Sequence, residues 1–234
     1  MSQCELAGVI PVFNEEKIIG KVINDWEEEL QKNHIDFKIH IYNASSTDNT
    51  SKILNELSKR NQKIVIHQRP RTGHGPDLVQ GYKDNCDAEW IFQVDSDNEM
   101  GTEAFKDLWQ RRNNYQFLLG GRKRYNQSLP RKTTSFFSRA IVRFFYGTKV
   151  FDVNSPYRLM NTKYFKGLFL NLSEYMSAPN LVVSGYASLR NMTVYEQSVD
   201  CNERKDGTAD LKKWKLFQTA LKCFIETIAF RFKV

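Results

Sequence analysis

Acidic side chains stand directly after an apolar run at residues 90–94. Asp95, Asp97 and Glu99 follow that run at intervals of two residues. On an extended segment such residues project from one face, so we expect the three carboxylates to converge. Converging carboxylates repel each other unless a cation lies between them, and Mg²⁺ and Mn²⁺ prefer hard oxygen ligands. The sequence therefore predicts that Asp95, Asp97 and Glu99 hold Mg²⁺ or Mn²⁺ together with water and a substrate diphosphate.

The same acidic segment also fits a solvated turn that binds nothing, and this alternative stays open. A calcium-binding EF-hand loop is excluded. Counted from Asp95, that loop needs glycine where Met100 stands and glutamate where Lys106 stands.

Alternating apolar runs and helical patterns organise the first 121 residues. Runs rich in β-branched residues predict strands at 6–12, 37–42, 63–67, 90–94 and 117–119. The 3.6-residue periodicity predicts helices at 15–32, 47–61, 76–86 and 102–112, and, in a less regular second half, at 135–146, 162–170, 180–189 and 211–232. This order predicts one α/β unit with a Rossmann-like, mostly parallel sheet and helices on both faces. Ligands of such sheets bind beyond the carboxyl ends of the strands.

Three segments lie where those strand ends are expected, at 11–16, 46–50 and 71–76. Each has an ordinary structural interpretation. Asn14 is suited to cap one helix and Ser46 or Thr47 another. Glycines in 71–76 would let backbone N–H groups approach an anion, but the segment matches neither the P-loop nor the dinucleotide fingerprint. Singly, none of the three identifies a function.

In order, however, the segments resemble glycosyltransferase family 2, which has the GT-A fold, and within it the branch of dolichol- and polyprenyl-phosphate sugar transferases. Residues 11–16 are similar to the family's opening PxYNEE motif, which cradles the nucleoside, and 46–50 to the end of its DDGSxDxT motif. Gly73 and Gly75, followed by Gly81, resemble its glycine-rich turn. Residues 95–97 correspond to its metal-binding DxD motif.

Three later segments extend the resemblance to about residues 6–210. Gly121 and Arg122 are similar to a phosphate-contacting G-S/T-R motif, and 152–158 to a D-x-x-x-x-F-R segment near the acceptor. Residues 204–208 resemble a late R-x-x-G-S signature. Each motif is weak, but seven in the family's order are specific.

The resemblance implies an inverting, metal-dependent transfer of a sugar from a GDP- or UDP-linked donor to a polyprenyl phosphate or a lipid-linked saccharide. The implied donor-binding residues are Pro11, Phe13, Glu15, Asn43, Asp48, Gly73, Asp95, Arg122, Arg158 and Arg204. The implied catalytic residues are Asp97, Arg122 and Asp152. Asp152 is the candidate base for a hydroxyl acceptor, and a residue that orients Arg158 if the acceptor is a lipid phosphate, which is already anionic.

Two departures from the family pattern favour an alternative function. Relatives usually carry aspartate where Asn43 stands, where it reads the nucleobase, and Asp or Asn where Ala44 stands. The alternative is therefore a catalytically degenerate relative that serves as a binding or scaffold subunit.

The chain has 234 residues, and 34 basic against 27 acidic residues give a net charge of +7. An apolar fraction of 41% is typical of a soluble globular protein. No apolar run reaches the roughly 18–20 residues that cross a bilayer, so we expect no integral membrane protein. The four cysteines form no CxxC pair and the N-terminus shows no secretory signal, which predicts free thiols in the cytoplasm.

A basic stretch at 108–151 has no acidic residue. Its charges are Arg111, Arg112, Arg122, Lys123, Arg124, Arg131, Lys132, Arg139, Arg143 and Lys149, and its aromatics include Phe136, Phe137, Phe144, Phe145 and Tyr146. This composition favours a polyanionic partner, either phosphates, nucleic acid or an anionic membrane surface. A nucleic-acid partner leaves the acidic segment unexplained, so we expect no nucleic acid.

The last predicted helix is amphipathic and basic. Its apolar positions have helical spacing: Trp214, Phe217, Leu221, Phe224 and Ile228. Such a helix either packs on the domain or lies in a membrane interface. We expect a GT-A domain at 1–210, with a donor half at about 1–121 and an acceptor half at about 122–210, and a helix at 211–234. Attachment to the cytoplasmic face of a membrane would be direct or through a membrane partner subunit.

Overall fold

The structure is a computed structural model that describes residues 4–123, 139–140, 142–147, 150–201 and 213–232. Its strands are β1 (Leu6–Val12), β2 (Phe37–Asn43), β3 (Ile64–Gln68), β4 (Trp90–Gln93), β5 (Phe117–Arg122), β6 (Tyr157–Asn161) and β7 (Val194–Val199). Its helices are α1 (Ile19–Lys32), α2 (Thr50–Arg60), α3 (His74–Asp84), α4 (Phe105–Arg111), α5 (Thr162–Asn171), α6 (Pro179–Leu189) and α7 (Lys213–Arg231). A 3₁₀ turn at Arg112–Asn114 follows α4, and residues 142–146 are also helical.

All seven strands form one sheet in the order β3-β2-β1-β4-β6-β5-β7. Strands β1 to β4 pair in parallel, as do β5 and β7, while β6 is antiparallel to both β4 and β5. The predicted mostly parallel α/β sheet is confirmed, and the five predicted strands are present. Strands β6 and β7 were not predicted. Because the other six strands share one direction, their carboxyl ends meet at a single edge, where β6 begins.

Side chains alternate between two hydrophobic cores, one on each face of the sheet. Along β1, Ala7 and Val9 point into the core shared with α3, α5 and α6. Leu6 and Ile10 point into the core shared with α1, α2 and α4. This alternation is the two-residue period of a strand covered on both faces, so the predicted helical layers are confirmed.

The helix α7 packs on the domain through its C-terminal half. Phe230 is buried in the first of these cores. Tyr146 donates its hydroxyl hydrogen to the Thr227 carbonyl oxygen at 2.5 Å, and Arg231 Nε donates to the Phe145 carbonyl oxygen at 3.1 Å. No helix in the described part of the chain is long and apolar enough to span a membrane.

Two predicted helix caps are wrong. Helix α1 begins at Ile19, four residues later than expected, and its N-cap is Ile18 rather than Asn14. Helix α2 is preceded by Asn49 rather than by Ser46 or Thr47. These polar residues are used instead to join neighbouring loops at the carboxyl edge.

Candidate active site

The loops after β1 and β2 are held together by hydrogen bonds. The Asn14 side-chain oxygen accepts the Thr47 backbone N–H at 2.8 Å. The Asp48 carboxylate accepts the backbone N–H groups of Glu16 at 3.2 Å and Thr50 at 3.0 Å. Asn14 has a left-handed backbone, with φ 54°, which asparagine tolerates better than most residues. The binding role predicted for Asp48 stays a prediction, since its carboxylate is engaged within these loops.

A cleft of about 360 Å³ opens at the carboxyl edge of the sheet. It is lined by Pro11, Val12, Phe13, Glu15, Ala44, Arg71, Gly73, His74, Asp77, Asp95, Ser96 and Asp97. The structure thus brings residues from three separate motifs to one cavity. Six of them were predicted site residues: Pro11, Phe13, Glu15, Gly73, Asp95 and Asp97.

The acidic segment after β4 turns instead of running straight. Asn98 has a left-handed φ of 54°, and the Asp97 Oδ1 atom accepts the Glu99 backbone N–H at 3.0 Å. Asp95 and Asp97 line the cleft, whereas Glu99 does not. Among the described residues no group of three or more His, Cys, Asp or Glu side chains is placed to hold a metal ion. The expected convergence of three carboxylates is therefore not found, because the segment is not extended, and metal binding stays a prediction.

The beginning of α3 brings a histidine to the acidic wall of the cleft. His74 Nε2 lies 3.5 Å from Asp95 Oδ1. Gly73, which precedes the helix, has φ 120°, a conformation that favours glycine. A Cβ atom on Gly75 would overlap the carbonyl oxygens of Met176 and Ser177. Glycine is thus favoured at position 73 by the backbone conformation and at position 75 by the close packing.

Arg71 forms a cation–π pair with Phe13. Its guanidinium carbon lies 4.0 Å from the centre of the ring, and both residues line the cleft. Arg71, His74 and Asp77 were not predicted as site residues. Their position in or next to the glycine-rich segment at 71–76 was the available signal.

Arg122 and Asp152 form a bidentate ion pair beside the acidic segment. Arg122 Nε donates to Oδ2 at 2.8 Å and Nη2 donates to Oδ1 at 3.0 Å. Glu196 in turn accepts the backbone N–H groups of Asp152 at 2.8 Å and Phe151 at 2.7 Å. Burial alone would lower the pKa of Arg122, but the hydrogen bonds and charge of Asp152 outweigh it and raise that pKa. The guanidinium therefore stays charged in this setting.

Arg158 lies away from the cleft lining and is completely buried. Its guanidinium donates to the carbonyl oxygens of Ser155 at 2.8 Å, Asn180 at 3.1 Å and Val153 at 3.2 Å. Burial lowers its pKa to about 10. Asp152 forms hydrogen bonds with Arg122, and its charge also acts on Arg158; the expected role of Asp152 in orienting Arg158 stays a prediction. Phosphate binding by Arg158 stays a prediction.

Asn43 is also completely buried, beneath the cleft rather than in its lining. Its amide nitrogen donates to Ser51 Oγ at 2.8 Å and to Gln68 Oε1 at 3.0 Å. Its amide oxygen accepts the hydroxyl of Ser46 at 2.6 Å. An aspartate at this position could not donate these two hydrogen bonds, so the surrounding contacts favour asparagine.

Several predicted residues lie outside the described residues. Arg204, the rest of the segment at 204–208, and part of the basic stretch are among them: Arg124, Arg131, Lys132, Phe136, Phe137 and Lys149. The side chains of Trp214, Phe217 and Leu221 on α7 also lie outside the description.

The sheet order, the covered faces and an edge cleft carrying an Asp-Ser-Asp segment define the class of GT-A glycosyltransferases. Residues 9–169 match the model of the family described as Glycosyl transferase family 2. The chain therefore belongs to glycosyl transferase family 2, and the family resemblance found in the sequence is confirmed.

Two characterised relatives match parts of the chain. A dolichyl-phosphate beta-glucosyltransferase of Trichomonas vaginalis is 23% identical over 223 residues, which cover 86% of this chain and 67% of that protein. A poly(ribitol-phosphate) beta-glucosyltransferase of Bacillus spizizenii is 31% identical over 101 residues. That match covers 41% of this chain and only 15% of the Bacillus protein.

The fold is also found in solved glycosyltransferase structures. Glucosyl-3-phosphoglycerate synthase from Mycobacterium tuberculosis, in complex with Mn²⁺ and UDP-glucose, has a TM-score of 0.67 and 15% identity to this chain. The superposition covers 97% of this chain and 79% of the synthase. At this identity the likeness supports the fold alone.

Proposed function

We propose that this protein transfers a sugar from a nucleoside-diphosphate sugar to a polyprenyl phosphate or lipid-linked saccharide, with inversion at the anomeric carbon. One observation carries the proposal: a single cleft holds an aromatic–guanidinium pair, Phe13 and Arg71, and two carboxylates, Asp95 and Asp97. The first pair suits a nucleoside and the second a metal-bound diphosphate. A relative named as a dolichyl-phosphate beta-glucosyltransferase supports the polyprenyl-phosphate acceptor.

The nucleoside half of the donor is assigned to Phe13. Its ring lines the cleft and offers a face on which a nucleobase can stack. Arg71 already lies over this ring at 4.0 Å, so a base enters by sharing or replacing that contact. Pro11, Glu15 and Gly73 complete this wall of the cleft.

The diphosphate is assigned to the wall formed by Asp95, Asp97 and His74. Mg²⁺ and Mn²⁺ bind through one or two carboxylates, waters and substrate phosphates, and the two cleft-lining aspartates fit that donor set. Such an ion, when bound, offsets the negative charge that grows on the leaving diphosphate. Glu99 and Arg204 are not needed for this assignment.

Arg122 is assigned to a phosphate of donor or acceptor. The guanidinium is held by Asp152 and remains about one-fifth exposed, so it can offer a charge-assisted hydrogen bond. For a polyprenyl phosphate acceptor, we propose that Asp152 positions Arg122 rather than acting as a base, because both carboxylate oxygens already accept hydrogen bonds from it. A phosphate oxygen attacks the anomeric carbon on one face while the bond to the diphosphate breaks on the other, and no proton needs to be removed. With a saccharide acceptor the attacking hydroxyl would lose a proton, and Asp152 is the candidate base.

A membrane-facing surface is assigned to Phe144, Ile225 and Phe232. Their exposed fractions are 83%, 60% and 79%, and the helical residues 142–146 contact the C-terminal half of α7. Arg143 and Lys222 add exposed positive charge. Exposed aromatics with basic neighbours bind anionic lipid surfaces. Binding to phosphatidylserine vesicles, weakened in the double variant Phe144→Ser, Phe232→Ser, tests this assignment, and unchanged binding would remove it.

Thermal unfolding tests the donor assignment. The protein is heated with GDP, UDP, CDP and their sugar conjugates, each with and without Mn²⁺. A ligand at 100 times its Kd adds about 2.7 kcal/mol of stability, which moves Tm visibly. We expect a Mn²⁺-dependent shift with at least one nucleotide. It should vanish in Asp97→Ala and persist in Asp87→Ala, a control at an exposed aspartate outside the cleft. No shift with any nucleotide would favour the degenerate binding subunit.

A further inference from the structure

A buried carboxylate on the cleft wall has one oxygen atom that lacks a hydrogen bond of normal geometry among the described residues. Asp77, in the first turn of α3, lines the cleft and is 2% exposed. Its Oδ1 atom has no hydrogen-bond partner in the described part of the chain. The nearest cation is Arg69, whose Nε atom lies 3.5 Å away, beyond a normal hydrogen bond, and likewise has no partner among the described residues.

This arrangement is costly for the fold alone. A buried carboxylate loses its hydration, and without donors that loss is not recovered. Burial accordingly raises the pKa of Asp77, and the charge and side-chain contact of Arg69, together with the charge of His74, offset only part of this effect. Ionisable groups that lie in a cleft and whose pKa is shifted by burial are candidates for a binding role. A ligand that brings an N–H group to Asp77 would supply the missing donor.

The residue expected to read the nucleobase does not line the cleft. Asn43 is buried, and its amide bonds to Ser51, Gln68 and Ser46. Another polar group in the cavity that contains Phe13 is therefore a candidate for base recognition. Asp77 lines that same cavity.

We infer that Asp77, with Arg69 beside it, reads the pairing edge of the donor's nucleobase. The inference rests on the proposed function of the cleft. The carboxylate accepts a ring N–H, and the guanidinium donates to the carbonyl oxygen next to it. Guanine (N1–H beside O6) and uracil (N3–H beside O4) share this edge. Cytosine and adenine present a bare ring nitrogen there, whose lone pair would face the carboxylate. The site thus selects GDP- or UDP-linked sugars over those of cytidine and adenosine.

Calorimetric titration of UDP, GDP, CDP and ADP with Mn²⁺ tests the selection. For wild type we expect UDP or GDP, or both, to bind at least tenfold more tightly than CDP and ADP, since a charge-assisted hydrogen bond is worth about a factor of ten or more. Comparing UDP with GDP shows which lactam base the site prefers. Asp77→Asn and Asp77→Ala should weaken the preferred nucleotide about tenfold. They should leave CDP binding no weaker than in wild type, because the carboxylate that faces the lone pair of the cytosine ring nitrogen is gone. Asp87→Asn is the matched control and should bind as wild type.

Ring-methylated nucleotides test the atom that is read. The 3-methyluridine and 1-methylguanosine diphosphates lack the ring N–H, so wild type should bind them at least tenfold more weakly than the parent. In Asp77→Ala this penalty should largely disappear. If an Asp77 variant does not fold, comparing the binding of parent and methylated nucleotides to wild type still shows whether the ring N–H is recognised.

The outcomes separate the two levels of the proposal. Nucleotide binding that depends on Asp97 but shows no base preference, or a preference that survives Asp77→Ala, would overturn the role of Asp77 and leave the cleft's function intact. Equal binding of methylated and parent nucleotides by wild type would overturn it as well. Failure of every nucleotide to bind wild type would overturn the proposed function itself.

Discussion

The Arg122 guanidinium donates two hydrogen bonds to the Asp152 carboxylate, one to each oxygen, at 2.8 Å and 3.0 Å. This bidentate geometry holds the guanidinium in one orientation next to the acidic wall of the cleft. Both carboxylate oxygens thus accept hydrogen bonds from the guanidinium. This geometry supports the proposed role of Asp152 in positioning Arg122.

Replacing Asp152 by Asn should disturb the position of Arg122 without removing a general base. We expect less than a 10²-fold fall in kcat, because one hydrogen bond to Arg122 can still form, whereas removal of a general base costs about 10²–10⁴. The dependence of kcat on pH should be the same in the variant as in wild type. Steady-state kinetics with a lipid-phosphate acceptor measure both quantities. A loss within the larger range, together with a pH dependence that wild type shows and the variant lacks, would return Asp152 to the role of base.

Replacing Arg158 by Met should destabilise the protein. The substitution leaves three buried carbonyl oxygens, those of Val153, Ser155 and Asn180, without their donor. We expect a loss of about 3 kcal/mol or more in the free energy of unfolding, measured in urea. Unchanged stability combined with weaker nucleotide binding would instead show that Arg158 contacts phosphate.

Replacing Gly75 by Ala should disturb the start of α3 against the 176–177 loop. The added Cβ meets backbone carbonyl oxygens of Met176 and Ser177, which cannot move as a flexible side chain does. We expect a destabilisation of about 1–3 kcal/mol and weaker nucleotide binding. Gly167→Ala, in the exposed middle of α5 with open space around it, is the control and should be neutral or stabilising by about 1 kcal/mol. Similar stability of the two variants would contradict the packing account.

Acidification should destabilise the protein through His40. Burial, followed by the charge of neighbouring His67, lowers its pKa from 6.5 to about 4. Because the folded state disfavours protonation of His40, the neutral imidazole contributes fully to stability above about pH 6.5, and this contribution is lost as pH falls towards 4. Between pH 7 and pH 5, we expect the free energy of unfolding of His40→Gln to fall by about 1–2 kcal/mol less than that of wild type. Exposed His34, replaced by Asn, is the control. Equal pH slopes for wild type and His40→Gln would remove His40 as the cause.

The sequence predicts those parts of the fold whose patterns are local. Strands β1 to β5 and the helices between them were predicted from the regular alternation of apolar runs with segments of helical periodicity. Strand β6 was missed because its five residues include Arg158, a charge whose burial depends on carbonyl groups from Val153, Ser155 and Asn180. Strand β7 was missed because its side chains are only half buried and include Glu196.

The site was predicted less completely, for two physical reasons. The predicted cluster of three carboxylates assumed an extended chain, but Asn98 has a left-handed backbone and Glu99 is not part of the cleft lining. Asp77 was missed because an acid in the first turn of a helix is ordinary in sequence, where it complements the helix dipole. Its burial, and the distance of 3.5 Å to Arg69, emerge only from the packing of the loop after β3.

Formation of a glycosylated lipid is the decisive test of the proposed sugar transfer. The purified protein is incubated with Mn²⁺, the sugar conjugate of the nucleotide it binds, and a short polyprenyl phosphate or, in a parallel reaction, a lipid-linked saccharide. The lipid fraction is analysed by mass spectrometry and NMR. We predict a sugar–phosphate–lipid product whose anomeric configuration is inverted relative to the donor. It should be lost in Asp97→Ala and retained in Asp87→Ala. Tight binding of the donor without product from polyprenyl phosphate or lipid-linked saccharide would contradict the account and favour a binding subunit.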